Sequence, residues 1–386
     1  MKGKSTWKWL LAVLVLLGLI GWFVMDARVE QKTETGQERS SERTAGSQKE
    51  NGTNSEDGMR TILDMAGREV TIPRDVKKVY CAVPTGEAMI AALCPEKLCG
   101  WVNKVSDESM RYLNEDLKKL PLLGGWMGQR VTANIESIIK AAPDVIIYAT
   151  DRLNLGTKND RPDNIQAKTG IPVVAVADEL AGTPKAFRFL GDILSSEERG
   201  EKLAAYCEEK LAMIGEAVAK IPEDKLVSIY YAEGKGGLAT DPSTSEHVAV
   251  LDFVRARNVA DVEKRWGMGM TEVSFEQVLN WNPDVILVSA TTDSNYDLIL
   301  KSDTWKEINA VKNGRVYLTP RSPFNWFDRP PNAMRVLGVQ WFAKLMYPEY
   351  VALDVRAAIK EFFELFYLVE LTDADVDSLI APNPLP

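Results

Sequence analysis

The feature that most constrains the fold of this chain is a pair of similar segments placed 140 residues apart. The first reads ANIESIIKAAPDVIIYAT over Ala133–Thr150, and the second reads VSFEQVLNWNPDVILVSA over Val273–Ala290. Each predicts an amphipathic helix, a short break and an apolar strand that begins at Pro-Asp-Val-Ile. The spacing is too long for a solenoid, whose repeats span about 20–50 residues. The chain is therefore predicted to hold two similar α/β lobes, and the cleft between them is where function is expected.

Strands and helices alternate on both sides of one long helical stretch. Arg60–Pro73 predicts a hairpin that turns at Ala66-Gly67. Thr183–Lys220 has apolar residues at three- and four-residue spacing, and a Ser-Ser-Glu-Glu sequence from Ser195 marks a possible break. Because this stretch lies between the lobes, it is predicted to connect them. We expect an α/β fold with two Rossmann-like α/β lobes, a long backbone helix that joins them, and a ligand cleft between the lobes.

Composition and periodicity predict the domain boundaries. They are 1–27 for a signal anchor or signal peptide, 28–58 for a disordered tether, 59–182 for the N-terminal lobe, 183–221 for the connecting helix, 222–370 for the C-terminal lobe and 371–386 for a C-terminal tail. The tail past Ala381 is proline-rich and is expected to be loose.

The N-terminus predicts export from the cytoplasm. Three lysines precede an uncharged stretch of 17 residues, Trp9–Met25, which is near the lower limit of about 17–25 residues for a membrane span. The only cleavage site, around Ala27, is poor. We expect an extracytoplasmic protein tethered to the membrane by an uncleaved anchor, with a cleaved, secreted or periplasmic form as the alternative. The segment Glu30–Gly58 is too polar to bury a core and is expected to be disordered.

Charge and composition exclude several classes of function. A net charge of −9 leaves no basic stripe for nucleic acid. The chain has one histidine, His247, and four scattered cysteines, so a zinc site or a metal-cluster enzyme on a similar scaffold lacks its ligands. No G-x-S-x-G motif is present, and the chain is not expected to be an enzyme. His247 and Tyr231 are weak candidates as donors to iron. The redox state of the cysteines, including a possible bond between Cys94 and Cys99, stays open.

The candidate ligand site follows from the ends of the predicted strands, because ligands of open α/β sheets bind beyond the carboxyl ends of their strands. The loop Pro320–Pro331 contains three aromatic residues, two arginines and four prolines, which favours a rigid binding loop. Tyr230 and Tyr231 end one strand, and alternation directs only one of them into the cleft. The predicted ligand-binding residues are Thr85, Glu87, Trp126, Arg152, Tyr231, Glu233, Trp266, Arg321, Trp326 and Arg329.

Several segments, together with the repeat, resemble the iron-complex and vitamin B12 substrate-binding proteins of ABC importers, a class with two lobes on a helical backbone. The resemblance runs from about Arg60 to Phe366 and rests on VPTGEAMIAALCPEKLCGW, on RPPNAMRVLGVQWFAKLMYPE and on the line that begins YYAEGKGG at Tyr230. It implies a monomer that serves an ABC permease and ATPase. In this class, acidic residues on each lobe dock on the permease, and Asp163 and Asp297 are weak candidates. The class's usual lipid-bearing cysteine is absent.

The resemblance leaves several ligands open, since members of the class carry ferric siderophores, haem, cobalamins, molybdate or tungstate. Cations at the strand ends of an acidic protein favour an anion. Aromatic residues beside them favour a ligand with flat or apolar surface, so we expect a metal chelate, most simply a ferric siderophore, and no resident cofactor. The alternatives are a molybdate or tungstate oxyanion and a membrane-tethered sensor without a transport role.

Overall fold

The sequence repeat is a structural repeat in the computed structural model, which describes residues 58–127, 130–150, 161–263, 270–292 and 294–383. Residues 1–57, with the predicted anchor and most of the tether, lie outside the described residues. Within the described ranges no helix is both long and apolar enough to cross a membrane.

The N-terminal lobe contains a parallel sheet with strand order β3-β6-β7 and two antiparallel pairs, β1-β2 and β4-β5. Its strands are β1 Met59–Leu63, β2 Glu69–Pro73, β3 Val79–Cys81, β4 Trp126–Met127, β5 Arg130–Val131, β6 Val145–Thr150 and β7 Val173–Ala177. Its helices are α1 Pro84–Leu93, α2 Asp107–Met110, α3 Ile135–Ala141 and α4 Arg161–Thr169. The predicted hairpin is confirmed as β1-β2.

The predicted connector consists of two helices, α5 Thr183–Ile193 and α6 Glu197–Ala219. The break lies at Ser195, whose φ of 51° is left-handed. The helices pack closely because Gly191 and Gly200 face each other; a Cβ on Gly200 would lie 3.0 Å from the Gly191 Cα. With 23 residues, α6 is about 34 Å long.

The C-terminal lobe contains a parallel sheet with strand order β10-β8-β12-β13 and an antiparallel pair, β9 with β11. Its strands are β8 Ser228–Ala232, β9 Ala239–Thr240, β10 Arg257–Asn258, β11 Thr271–Glu272, β12 Val285–Val288 and β13 Val316–Leu318. Its helices are α7 Ala249–Phe253, α8 Phe275–Trp281, α9 Ser294–Lys301, α10 Asn309–Lys312, α11 Arg335–Met346, α12 Val355–Tyr367 and α13 Asp373–Ile380. The α/β architecture with parallel sheets is as predicted, and the domain boundaries stay predictions.

The repeated Pro-Asp-Val-Ile sequence has the same structural role in both lobes. Asp144 accepts hydrogen bonds from the backbone N–H groups of Lys77 and Lys78 at 2.7 and 2.8 Å, just before β3. Asp284 accepts from the backbone N–H of Ser228 at 3.0 Å and from its hydroxyl at 2.7 Å, at the start of β8. Each aspartate therefore fixes the neighbouring parallel strand through charge-assisted hydrogen bonds.

One hydrophobic core passes through both lobes. It includes Val79 of the N-terminal sheet, Phe187 of α5, Ile229 of the C-terminal sheet and Phe363 of α12. Two smaller clusters bury the other faces of the two sheets. Because the main core is shared, the sheets have a common packed interface.

Two sequence predictions differ from the structure. The strand expected over Leu98–Val102 forms only isolated bridges, one of them from Leu98 to Val79. The tail expected to be loose past Ala381 includes Asn383, which is buried and bonded to β13. All four cysteines are free thiols.

Candidate functional site

Polar residues meet where the C-terminal strands end. Strands β8, β12 and β13 pair in register up to their last residues. The residue that follows each strand is polar and buried: Glu233 after β8, Ser289 after β12 and Thr319 after β13. The Thr319 hydroxyl accepts the backbone N–H of Ala290 at 2.8 Å, and the Ser289 hydroxyl lies 2.9 Å from that of Thr291. This strand edge therefore presents hydroxyl and carboxyl groups side by side.

A buried ion cluster, here called the Arg329 cluster, includes Glu233 of this edge. Arg329 Nε donates to Glu233 Oε1 at 2.6 Å, and its Nη2 donates to Asp241. Asp328 Oδ2 lies 3.4 Å from Arg329 Nε, and its Oδ1 lies 2.8 Å from His247 Nδ1. Because every carboxylate in the cluster has a cationic neighbour, the predicted ligand residues Glu233 and Arg329 bind each other first.

Burial and charge set the protonation of the Arg329 cluster. Burial raises the pKa of Glu233 to about 9, although Arg329 beside it lowers that pKa. Burial alone lowers the pKa of His247, but the hydrogen bond and charge of Asp328 outweigh it and leave the pKa raised. Glu233 therefore keeps its proton near neutral pH, which reduces the negative charge buried around Arg329.

The predicted donors to iron, His247 and Tyr231, are both engaged in or beside the Arg329 cluster. Its three carboxylates lie within 4.8 Å of one another, and the Arg329 guanidinium already supplies their cation. His247 has its Nδ1 against Asp328. Tyr231 is fully buried with its ring 5.3 Å from that of Phe327, and burial raises its pKa well above the usual value. A buried neutral phenol is a poor ligand for iron.

The two tyrosines at the end of β8 point to opposite faces of the sheet, as alternation predicts. Tyr230 packs on the outer face and donates to the Gly237 carbonyl at 2.8 Å. Tyr231 packs in the shared core. Neither ring faces an open cleft, because both are fully buried.

The loop Pro320–Pro331 holds its aromatic residues inside. Trp326 is fully buried, and its indole N–H donates to the Ser322 carbonyl at 2.8 Å. Phe327 is also buried. Trp326 therefore offers no accessible ring for the stacking that the sequence predicts. By contrast, Arg321 is exposed, with Nη1 3.4 Å from the Ala290 carbonyl at the strand edge.

The predicted residues of the N-terminal lobe form a second polar group. Thr85 lies in the first turn of α1, directly after β3, and is almost fully buried. Glu87 accepts a hydrogen bond from the backbone N–H of Val102, and burial raises its pKa well above the usual value although that hydrogen bond lowers it. Trp126 is buried, and its backbone N–H donates to the Ala82 carbonyl at 2.8 Å. Glu87 and Trp126 therefore support the carboxyl end of β3 from inside the N-terminal lobe.

The remaining predicted residues lie elsewhere. Arg152 and Trp266 are outside the described residues. The side chains of Asp163 and Asp297 are 65% and 69% exposed and form ion pairs with Arg68 and Lys301. Their role in docking stays a prediction.

The two lobes touch at the loop Pro320–Pro331. The Ser322 hydroxyl lies 3.1 Å from that of Ser109 in α2, and the Phe324 ring centroid lies 6.2 Å from that of Trp101. These contacts place loop Pro320–Pro331 between the lobes, where the sequence predicted a cleft.

Asp241 is the member of the Arg329 cluster that the sequence did not predict. It follows β9, a strand of two residues that is too short to predict from periodicity. Its partner Arg329 is 88 residues away in the chain. No local sequence pattern predicts a contact between residues so far apart in the chain.

Two grooves lie on the surface of the described residues. One of 410 Å³ lies beside the strand edge, and its lining includes Gly234, Lys235 and Met270. The other, of 680 Å³, lies between the ends of α1 and α5 and the start of α6 and contains none of the predicted ligand residues. The smaller groove is not lined by a predicted ligand residue either, but it includes Gly234, which directly follows Glu233.

Comparison with known proteins finds a matching family model, related sequences and a similar solved structure. The family model described as a periplasmic binding protein matches residues 101–323. The molybdate-binding protein MolA of Haemophilus influenzae is 26% identical over 331 residues, which cover 80% of this chain and 91% of that protein. The Fe(3+)-citrate-binding protein YfmC of Bacillus subtilis is 28% identical over 210 residues, 52% of this chain and 61% of that protein. A solved ABC transporter solute-binding protein from Sulfurospirillum deleyianum superposes with a TM-score of 0.76 and 33% identity over 83% of this chain and 98% of that one.

Proposed function

Since this chain belongs to the periplasmic binding protein family and is a substrate-binding protein of an ABC transporter, we propose that its cargo is a small oxyanion of the molybdate class. The observation that carries this proposal is the contrast at the binding loop, where Arg321 is exposed and the Trp326 ring is buried. An oxyanion needs forked N–H donors and hydroxyl groups and makes little use of aromatic surface.

The chemistry of both strand edges supports an anion. We propose that Arg321 supplies the charge, and that Thr85 and the N-terminus of α1 supply uncharged donors from the other lobe. Burial raises the pKa of Glu87 in the same turn, which favours the uncharged form of its carboxyl and weakens its repulsion of an anion. Arg329 acts indirectly, because its guanidinium is engaged by the carboxylates of the Arg329 cluster. The likeness to a molybdate-binding protein over most of that protein's length agrees with this assignment.

A ferric chelate is the second candidate. Its support is the similarity to an Fe(3+)-citrate-binding protein, which extends over a smaller part of both chains. Citrate and similar chelators are anionic, so Arg321 serves either ligand. The two candidates differ in size and in their need for aromatic surface.

We propose that the permease contacts the first turns of the repeated helices α3 and α8. The repeat relates Glu136 to Glu276, and both side chains are exposed. Asp163 and Asp297 lack this symmetry and form ion pairs within their own lobe. We also propose that the protein works outside the cytoplasm and that Trp9–Met25 anchors it to the membrane.

The test is a thermal-shift titration of the purified protein with molybdate, tungstate, sulfate, ferric citrate and a ferric hydroxamate. A ligand at one hundred times its dissociation constant adds about 2.7 kcal/mol to the free energy of unfolding. We expect molybdate or tungstate to shift the melting temperature, and Arg321→Ala to weaken that ligand at least about tenfold, since a charge-assisted hydrogen bond contributes about 1.5–3 kcal/mol.

The matched control is Arg315→Ala, because Arg315 directly precedes the opposite end of β13. It is expected to leave the affinity unchanged. A shift with a ferric chelate alone assigns the cargo to the second candidate, and the absence of any shift contradicts both.

A further inference from the structure

The C-terminal segment 355–383, here called the C-terminal bracket, packs on α11 of the C-terminal lobe and also on the N-terminal lobe. Helix α12 contacts α1 of the N-terminal lobe. The Phe363 ring of α12 meets Tyr112 of the N-terminal lobe edge-on at 5.9 Å, and Phe366 meets Phe187 of the connector at 5.7 Å. Arg199 of α6 donates to the carbonyls of Leu365 and Phe366 at the end of α12. These contacts hold the bracket to the N-terminal lobe and the connector.

The bracket then returns to the C-terminal sheet. Asp375 of α13 forms an ion pair of 3.4 Å with Arg111, which still belongs to the N-terminal lobe. The next contact is with β13: Asn383 Oδ1 accepts the backbone N–H of Leu318 at 2.8 Å, and Asn383 Nδ2 donates to the Leu318 carbonyl at 2.7 Å. The same Nδ2 donates to the Ile380 carbonyl at 2.8 Å. The Asn383 amide thus imitates the backbone of a neighbouring strand.

The attachment point is adjacent to the candidate site. Leu318 is the last residue of β13, and Arg321 follows three positions later. Within the same loop, Phe324 lies between Trp101 of the N-terminal lobe at 6.2 Å and Tyr367 of the bracket at 5.8 Å. The bracket therefore supports the binding loop at its start and at its middle.

We propose that Asn383 is a positioning residue for the ligand site, and that the bracket sets the spacing of the two lobes by tying β13 to the N-terminal lobe. The effect on binding rests on the proposed function, whereas the tie between lobes does not. In this arrangement the loop with Arg321 is held in place before the ligand arrives, which lowers the ordering cost of binding.

The experiment uses the full chain with Asn383→Ala and Asn383→Asp. Alanine removes the hydrogen bonds to Leu318 and Ile380, and aspartate turns an oxygen toward their carbonyls. Hydrogen exchange of the ligand-free protein is expected to rise about tenfold in 316–324 and in α13 with either variant, because local opening becomes easier when hydrogen bonds are lost. Strand β12 is expected to exchange as before. The dissociation rate of molybdate is expected to increase several-fold with an unchanged association rate.

The control is Asn313→Ala, an exposed asparagine just before β13. It is expected to change neither readout. Faster exchange confined to 381–383, with the loop and α13 unchanged, overturns the inference. If the unmodified protein binds no molybdate, the proposed function fails while the exchange pattern still decides the role of the bracket.

Discussion

At the scale of single residues, the buried charges of the Arg329 cluster decide which side chains are available. The carboxyl groups of Glu233, Asp241 and Asp328 surround one guanidinium, and His247 contacts Asp328. An isolated buried charge costs several kcal/mol, so each member of such a group depends on its partners. This is why Arg329, which the sequence singles out as a ligand residue, is engaged by carboxyl groups inside the protein, whereas the Arg321 side chain lies at the surface.

Glu233 makes the cluster sensitive to pH. Its pKa is about 9 in the folded chain against an ordinary value of 4.5, so between these values the folded state holds a proton that the unfolded state releases. Raising the pH through this window therefore favours unfolding. Glu233→Gln keeps the acceptor oxygen for Arg329 and does not titrate. We expect it to match the parent protein near pH 5 and to melt at least about 3 °C higher at pH 8.5, since 1 kcal/mol corresponds to about 2–4 °C.

Thermal unfolding followed by circular dichroism from pH 5 to 9 measures this difference. The control is Glu272→Gln, an exposed carboxylate on β11. If Glu233→Gln melts lower than the parent protein at every pH, Glu233 is the ionised partner of Arg329 and does not hold a proton in the folded state.

At the scale of elements, the two copies of the repeat share their caps. Asn134 and Ser274 each accept a backbone N–H at the third helical position, from Ser137 and Gln277. Both helices also end in a left-handed residue, Ala142 with φ 50° and Asn282 with φ 42°. The copies differ in how well these residues tolerate that conformation, because asparagine adopts it far more readily than alanine.

This difference gives a matched pair of substitutions. Ala142→Gly is expected to raise the free energy of unfolding by about 0.5–1 kcal/mol, since relief of about 1–2 kcal/mol of backbone strain exceeds the entropy that glycine adds to the unfolded chain. Asn282→Gly is expected to change it by less than about 0.5 kcal/mol. Urea unfolding of the three proteins checks both values, and equal effects at the two positions contradict the strain argument.

At the scale of the whole molecule, the repeat presents two related surfaces, one on each lobe. Glu136 and Glu276 lie at equivalent, exposed positions, and among the described residues neither forms an ion pair. A transporter that contacts both lobes is expected to meet these two positions together. Charge pairs at the rim of an interface chiefly affect the rate of association.

The double variant Glu136→Lys and Glu276→Lys is expected to lower ligand uptake by the reconstituted transporter at least about tenfold without changing ligand affinity. The reason is that lysine repels the cationic groups with which a docking glutamate pairs across an interface. The comparison is the double variant Asp163→Asn and Asp297→Asn, which changes the two other acidic docking candidates. Loss of uptake with that pair, and not with the glutamate pair, transfers docking to Asp163 and Asp297.

The sequence alone determined the two α/β lobes, the connector with its break near Ser195, the strand ends that carry Glu233 and Arg321, and the family. These features follow from periodicity and from a repeat that is visible without any contact information. Only the tertiary structure decided that Trp326 is buried, that Arg329 is bonded to Glu233 and Asp241, and that Asn383 reaches Leu318. Those contacts join residues 65–96 positions apart, and packing between distant elements, not local pattern, selects them.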